Sequence, residues 1–184
     1  MRKGGRATIA ADTLYTAGSL RTPGTYAKGR SKLVPVDDGW IGLVGSPAHQ
    51  LTLSAILAED SVSADFSTVN GIFQTLVSIQ QRLVDGYFTR EKEDDDDQPY
   101  SSNHLNGLIC NPHGIFEMES YREVCEYEHF WAIGSGDRLA IGAMHAVFGL
   151  HDEPEAIARV GLEAACTFDA RCGAPYEIRT VDLL

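Results

Sequence analysis

The sequence predicts an α+β protein in which two antiparallel sheets stack face to face, with a layer of helices outside each sheet. The first observation is the order of the elements: strands, two helices, strands, two helices and a final strand, which is not the βαβ alternation of a parallel sheet. The second is turn chemistry, since Asp37-Asp38-Gly39 and Asn111-Pro112-His113-Gly114 each separate two strand-like runs, as in hairpins. Neither an internal repeat nor a linker divides the chain, so residues 1–184 are expected to form one domain.

The strands are predicted from short apolar or alternating runs bounded by turn residues. The opening strand, Arg6–Ala11, is small and apolar on both faces, which suits a strand covered on both sides, and it ends in Asp12. Ser19–Arg30 is predicted to be a loop, because it is rich in Gly, Thr, Pro and basic residues. The other extended segments are predicted at Thr13–Thr16, Ser31–Val36, Trp40–Val44, His104–Cys110, Gly114–Tyr121, Val124–Glu126, Phe130–Ile133 and Tyr176–Leu183.

Four helices are predicted from apolar residues at helical spacing. The first begins at Ser46-Pro47, because Ser is a good N-cap and Pro suits the first helical position. The second runs from Thr68 to Tyr87. The third follows Gly134-Ser135-Gly136-Asp137 and ends near Phe148, and the fourth follows Glu153-Pro154 and extends to Phe168.

Composition argues against several classes of function. The net charge of -11 argues against a general nucleic-acid binder, whose contact surface is basic. Because no apolar run is long enough to cross a bilayer, we expect no membrane association. Residues 1–5 lack the apolar segment of a signal peptide. The four cysteines form no Cys-x-x-Cys pair and are expected to be reduced thiols of a cytoplasmic protein; no cofactor is expected.

The segment Glu91–Asp97 is the one low-complexity stretch of the chain. We interpret it as a solvated loop. A divalent metal site is the alternative, which we disfavour because adjacent carboxylates in a loop repel one another without a fixed geometry.

Asp12 and Lys32 form the first candidate site. Asp12 either caps a turn or pairs with a cation, and Lys32 is the candidate partner. Since Lys32 begins a strand one loop after the strand that Asp12 ends, we expect adjacent pairing of the two strands to bring both side chains to one sheet end. A Lys beside a carboxylate and a nucleophile can lower the pKa of that nucleophile or relay its proton.

Two further groups stand apart from packing. Gly134-Ser135-Gly136-Asp137 lies at a strand-to-helix junction, where glycines let backbone N–H groups approach a ligand. Asp169 and Cys172 follow the last helix and either point into one site or cap the helix end. A serine or cysteine hydrolase that uses Ser135 or Cys172 with a histidine is disfavoured by the spacing of the six histidines. These are His49, His104, His113, His129, His145 and His151.

In this order, these features resemble the proteasome β-subunit and HslV-type protease family. The resemblance covers nearly the whole chain. It implies the αββα sandwich of the N-terminal nucleophile (Ntn) hydrolases, which cleave peptide bonds inside ring-shaped chambers. The matching elements are IAAD (Ile9–Asp12), SKL around Lys32, GLVGSPAH (Gly42–His49), AIGSGD (Ala132–Asp137) and Asp169.

The resemblance also implies roles for individual residues. Asp12 and Lys32 match the acidic and lysine partners of the family's nucleophile. Ser135 matches the serine of its Gly-Ser-Gly, and Asp169 matches its late aspartate. The backbone N–H of Gly45 matches the oxyanion donor. Cys172 stands where many members carry Ser.

The family's nucleophile is a threonine at the first position of the mature chain, several residues before the opening strand. Met1 stands in that region, while Thr8 and Thr13 are internal and lack the free amine that serves as base. Two hypotheses follow: a threonine peptidase shortened at its start, or a non-catalytic, ring-forming scaffold subunit. The resemblance implies peptide or unfolded polypeptide substrates, a homo-oligomeric single or double ring of six or seven subunits per ring, and an ATPase unfoldase partner.

Overall fold

The computed structural model describes residues 1–87 and 100–184, so the acidic segment Glu91–Asp97 lies outside the described residues. The helices are α1 (Pro47–Leu57), α2 (Val69–Asp85), α3 (Asp137–Val147) and α4 (Pro154–Phe168). The strands are β1 (Arg2–Lys3), β2 (Arg6–Asp12), β3 (Tyr15–Ala17), β4 (Leu20–Thr22), β5 (Leu33–Val36), β6 (Gly39–Val44), β7 (Asn106–Asn111), β8 (Gly114–Met118), β9 (Val124–Glu126) and β10 (Tyr176–Asp182).

Two antiparallel sheets face each other. One has the order β1-β2-β10 and the other the order β5-β6-β7-β8-β9, while β3 and β4 form a separate small hairpin. Between the large sheets, Ala7 and Ile9 of β2 pack against Leu33, Cys110 and Ile115 of the five-stranded sheet. The small side chains of β2 let it lie between this core and the helices behind it.

The helices cover the outer faces of the two sheets. Leu53 and Ile56 of α1 and the buried face of α2 pack on the five-stranded sheet. On the opposite side, Met144 of α3 and Ile157 of α4 pack behind β2. The predicted αββα sandwich is therefore confirmed. No helix in the described ranges is long and apolar enough to cross a membrane.

Two local predictions were wrong. Phe130–Ile133 is not a strand: one backbone hydrogen bond, from Arg2 to the carbonyl of His129, links the start of this segment to β1, which is only two residues long. The predicted loop Ser19–Arg30 contains β4 and one 3-10 turn at Gly24–Tyr26. Gly18, with φ +59°, closes a two-residue hairpin turn that folds β4 back onto β3.

The amino group of Met1 lies inside the fold. Met1 is 6% exposed, and its amine donates a hydrogen bond to the Thr8 carbonyl at 3.0 Å, while the Thr8 N–H donates to the Met1 carbonyl at 2.7 Å. Burial lowers the pKa of this amine from 8.0 to about 6. The charged form of the amine is therefore disfavoured in the folded state.

This burial predicts a pH-dependent stability. Because the pKa of the amine is lower in the folded chain than in the unfolded chain, its contribution is fully present above pH 8 and is lost as the pH falls towards 6. A shift of this size corresponds to about 2 to 3 kcal/mol. We expect urea denaturation to show this loss between pH 8.5 and pH 5.5. An N-terminally acetylated chain should lose correspondingly less stability, and the same pH dependence in both forms would contradict the assignment.

Candidate active site

A cleft of about 810 Å³ is lined by β2 and by the turn between β6 and α1. Its walls come from β2, the β6–α1 turn, the segment before α3 and the residues after α4. The predicted residues Asp12, Lys32, Gly45 and Ser135 all line this cleft, and Cys172 lines it as well. Asp169 is not among the lining residues, but it accepts a hydrogen bond from Ser135, which is.

Asp12 is bound on both carboxylate oxygens. Its Oδ1 accepts a hydrogen bond from the Lys32 ammonium at 2.7 Å. Its Oδ2 accepts from the N–H groups of Leu14 and Gly173, each at 3.0 Å. Asp12 is 7% exposed, so these partners compensate the cost of burying its charge. Both interpretations of Asp12 hold, because it caps a turn and pairs with Lys32.

The prediction that Asp12 and Lys32 meet through adjacent pairing of their two strands was wrong. Asp12 ends β2 in the three-stranded sheet, whereas Lys32 directly precedes β5 at the edge of the five-stranded sheet. The two residues do not lie on adjacent strands. They meet because the sheets stack face to face, so the salt bridge crosses the interface between the sheets.

Ser135 and Asp169 form a second polar group. The Ser135 hydroxyl donates to Asp169 Oδ1 at 3.1 Å and lies 3.7 Å from the Cys172 sulfur. The Arg171 N–H donates to the same carboxylate oxygen at 2.7 Å, and this hydrogen bond is the main cause that holds the pKa of Asp169 below its ordinary value. An ionised Asp169 therefore fixes the Ser135 hydroxyl at the cleft wall.

Residues 172 and 173 connect the two groups. The Cys172 sulfur contacts Ser135, while the next N–H, of Gly173, donates to Asp12. The structure therefore brings Asp12, Lys32, Ser135 and Asp169 into one continuous polar wall, although they come from four separate parts of the chain.

Cys166, Cys172, Thr8 and Thr13 are not arranged as nucleophiles. Burial raises the pKa of Cys166 to about 11 and also raises the pKa of Cys172, so both thiols stay protonated at neutral pH. The Thr8 hydroxyl bonds to that of Thr180 at 2.8 Å, and the Thr13 hydroxyl donates to the Pro175 carbonyl at 2.9 Å. The serine or cysteine hydrolase interpretation gains no support from these contacts.

Gly45 forms the turn between β6 and α1 at one end of the cleft. Its φ is +95°, a conformation that a larger residue adopts only with strain, and an added Cβ would meet the His49 ring at 3.4 Å. Ser46 caps α1 by accepting from the Ala48 N–H at 3.3 Å. Because the N-terminus of a helix carries partial positive charge, this turn favours a developing negative charge.

Tyr15, Arg30 and Gln50 are among the residues of the cleft that the sequence analysis did not single out. One signal was available for Arg30, which lies two residues before Lys32, a spacing that puts two side chains on one face of an extended segment. Tyr15 and Gln50 carry no comparable signal, because they reach the cleft through tertiary packing. Among residues 1–87 and 100–184, no three His, Cys, Asp or Glu side chains converge into a metal site.

The chain is similar to solved structures of a bacterial protein. Thiobacillus denitrificans BPH in complex with epoxomicin shares 32% identity and a TM-score of 0.91, over 100% of this chain and 96% of that chain. The structure of BPH without the compound gives 31% identity and a TM-score of 0.92 over the same shares. Eukaryotic HslV from Trypanosoma brucei matches at 19% identity and a TM-score of 0.71, over 98% of this chain and 96% of that chain, which shows a common fold. The sequence matches no protein-family model and no curated protein.

The contacts of Asp12 predict an order of stabilities. Asp12→Ala should cost about 2 to 4 kcal/mol, because it leaves the Lys32 ammonium and two N–H groups without their acceptor. Lys32→Met should cost less, since Asp12 keeps both N–H partners.

The control variant is Glu155→Ala, which breaks an exposed pair with Arg159 and should cost less than about 0.5 kcal/mol. Urea denaturation of the three variants at pH 7 checks the order. A cost for Asp12→Ala no larger than that for Glu155→Ala would contradict it.

Proposed function

Since the chain belongs to the proteasome β-subunit and HslV-type family of N-terminal nucleophile hydrolases, we propose that it is a threonine-type peptidase subunit whose nucleophile stands on residues upstream of Met1. One observation carries the proposal. The Lys32 ammonium is held at 2.7 Å by Asp12 on the wall of a cleft that also contains Gly45 and Ser135. A cation fixed in this way is suited to activating a hydroxyl nucleophile.

The register of β1 against β2 supports an upstream nucleophile. Arg2 lies opposite Ala7, Lys3 opposite Arg6, and the backbone of Met1 exchanges two hydrogen bonds with Thr8. In an antiparallel pair each residue further upstream faces the next residue along β2, so about the fourth residue before Met1 would lie opposite Asp12.

The cleft offers space for such a strand. Its volume is about 810 Å³, and its lining includes β2 from Thr8 to Asp12 as well as Ala132 and Ile133. A strand continued upstream of Met1 would enter this space and pair with β2. Its first residue would then reach the Asp12–Lys32 salt bridge, where a threonine hydroxyl would have the cation beside it.

Each residue of the polar wall then has a role. The threonine hydroxyl attacks the carbonyl carbon of the peptide bond, and the terminal amine takes its proton as base. Lys32 lowers the pKa of that hydroxyl, and Asp12 holds Lys32 in place. The Gly45 N–H donates to the oxyanion, and Ser135 and Asp169 complete the wall beside the amine. The protonated terminal amine gives its proton to the leaving amine, which departs as the C–N bond breaks; water, deprotonated by the same amine, then attacks the ester, and the proton returns to the threonine hydroxyl as the acid product leaves.

We also place the protein in the cytoplasm, which suits its four free cysteines. Its substrates would be peptides or unfolded polypeptides, delivered by an ATPase unfoldase.

Activity should depend on the upstream threonine and on Lys32. The chain beginning at Met1 is expected to cleave fluorogenic peptides at background rates. A form extended upstream by the strand, with a processed terminal Thr, should show activity that a covalent inhibitor of N-terminal threonines abolishes. Lys32→Ala in the extended form should reduce kcat/KM at least about a hundredfold, since it removes the cation that activates the hydroxyl.

The matched control is Lys28→Ala, an exposed lysine of the same loop, which should leave kcat/KM unchanged. Activity that survives Lys32→Ala would refute the role of Lys32. An extended, correctly processed form with no activity would favour the non-catalytic scaffold subunit instead.

We further propose that the subunits close into a single or double ring. Ring closure requires a heterologous interface, in which two different surface patches of neighbouring subunits meet. Several large apolar side chains are available for such contacts, because they are exposed in the single chain: Leu20, Tyr26, Leu51, Leu150 and Phe168.

Analytical ultracentrifugation should show an assembly of at least six subunits at micromolar concentration. Phe168→Asp, which changes a side chain that is 76% exposed, tests whether that surface belongs to an interface. A monomer across the whole concentration range would contradict the ring.

A further inference from the structure

We propose that a recess beside Lys32 selects an acidic side chain in the substrate, on the residue next to the cleaved bond. The recess, here called the Tyr15 recess, is formed by Tyr15, Arg30, Val44 and Gln50, all of which line the cleft. The proposal rests on the peptidase function above and adds the class of substrate to it. It is carried by Arg30, which has no carboxylate partner among residues 1–87 and 100–184, and by hydrogen-bond donors that line the same cleft.

Tyr15 is the floor of the recess. Its hydroxyl donates to Gln50 Oε1 at 3.2 Å, and its ring lies 5.4 Å from the Lys32 ammonium. Burial raises the pKa of Tyr15, so the phenol is neutral and remains a donor at neutral pH. Because Gln50 receives this hydrogen bond on its oxygen, its amide nitrogen is left to donate.

Arg30 supplies the charge. Its guanidinium stacks over the Tyr15 ring, with Cζ 4.8 Å from the ring centroid. Within the ranges that the structure describes, Arg30 has no carboxylate partner within 4.0 Å, whereas the charge of Lys32 is matched by Asp12. Glu177 accepts a hydrogen bond from Ser31; it does not line the cleft, but it lines a second, smaller pocket together with Arg30. Of the charged side chains that line the cleft beside Tyr15, Arg30 and Lys32 are cationic and Asp12 is anionic.

The donors and charges define the ligand. Arg30 and the Gln50 amide nitrogen present N–H groups that a carboxylate accepts, and a guanidinium can bind a carboxylate through two hydrogen bonds. Val44, which lines the same cleft, is the apolar side chain that we assign to the methylene groups of the substrate side chain. A lysine or arginine would meet like charges from Arg30 and Lys32, which disfavours it. Glutamate therefore fits the recess better than glutamine, which has the same shape without the charge.

Peptide binding tests the recess without requiring catalysis. Fluorescein-labelled tetrapeptide amides ending in Glu, Gln or Lys would be titrated with the protein and followed by fluorescence polarisation. The Glu peptide should bind about tenfold more tightly than the Gln peptide, and the Lys peptide most weakly.

Variants assign the preference to Arg30. Arg30→Met should bring the Glu and Gln peptides to equal affinity, and Arg30→Glu should make the Lys peptide the tightest. The control Lys28→Met removes an exposed charge from the same loop and should keep the preference for Glu. Equal binding of the three peptides, no binding of any, or a Glu preference that persists in Arg30→Met would overturn the proposal.

A kinetic comparison separates this inference from the peptidase function. In the threonine-extended form, kcat/KM should be at least about tenfold higher for substrates with Glu before the cleaved bond than for those with Gln. Cleavage without this preference would refute the recess and leave the peptidase function standing. Binding with the Glu preference, in an extended form that cleaves no peptide, would refute the peptidase function and leave the recess standing.

Discussion

The salt bridge between Asp12 and Lys32 is the interaction on which the cleft depends, because it joins the two sheets where the polar wall forms. Asp12 comes from the three-stranded sheet, and Lys32 from the start of the edge strand of the five-stranded sheet. Two backbone N–H groups fix the remaining carboxylate oxygen. Each charge therefore lies next to a partner, so the pair can hold the two sheets in register without leaving an unpaired ion in the interior.

The close approach of the sheets is a constraint on side-chain size. Gly42 on β6 faces Ile9 on β2, and a Cβ added at Gly42 would lie 3.2 Å from the Ile9 side chain and 3.3 Å from that of Leu33. A larger residue at this point would require the Ile9 and Leu33 side chains to shift by a few tenths of an ångström. The close packing of the sheets beside the Asp12–Lys32 pair therefore uses a glycine and the small residues of β2, to which we assign no part in the chemistry.

Most of the architecture could be predicted from the sequence, because hydrophobic period and turn residues report on faces and boundaries. They do not show which strands pair with each other. The sequence predicted that Asp12 and Lys32 lie on adjacent strands of one sheet, whereas the salt bridge joins two different sheets. The apolar run Phe130–Ile133 was expected to be a strand, but a strand also needs a ladder partner, which local pattern does not supply. For the site, local pattern singled out Asp12, Lys32, Ser135 and Asp169 and the resemblance to a family supplied their roles, while Tyr15 and Gln50 reach the cleft only through packing.

A strand upstream of Met1 would serve both the stability of the fold and the proposed chemistry. Burial lowers the pKa of the Met1 amine, and a residue upstream of Met1 would convert this amine into a neutral amide. The same residue would continue the ladder along β2, where each further pair adds backbone hydrogen bonds. A strand that reached Asp12 would thus remove a buried ionisable amine, enter the cleft that Ala132 lines and place its first residue at Lys32. The segment that would supply the nucleophile is therefore also the segment that would complete the sheet.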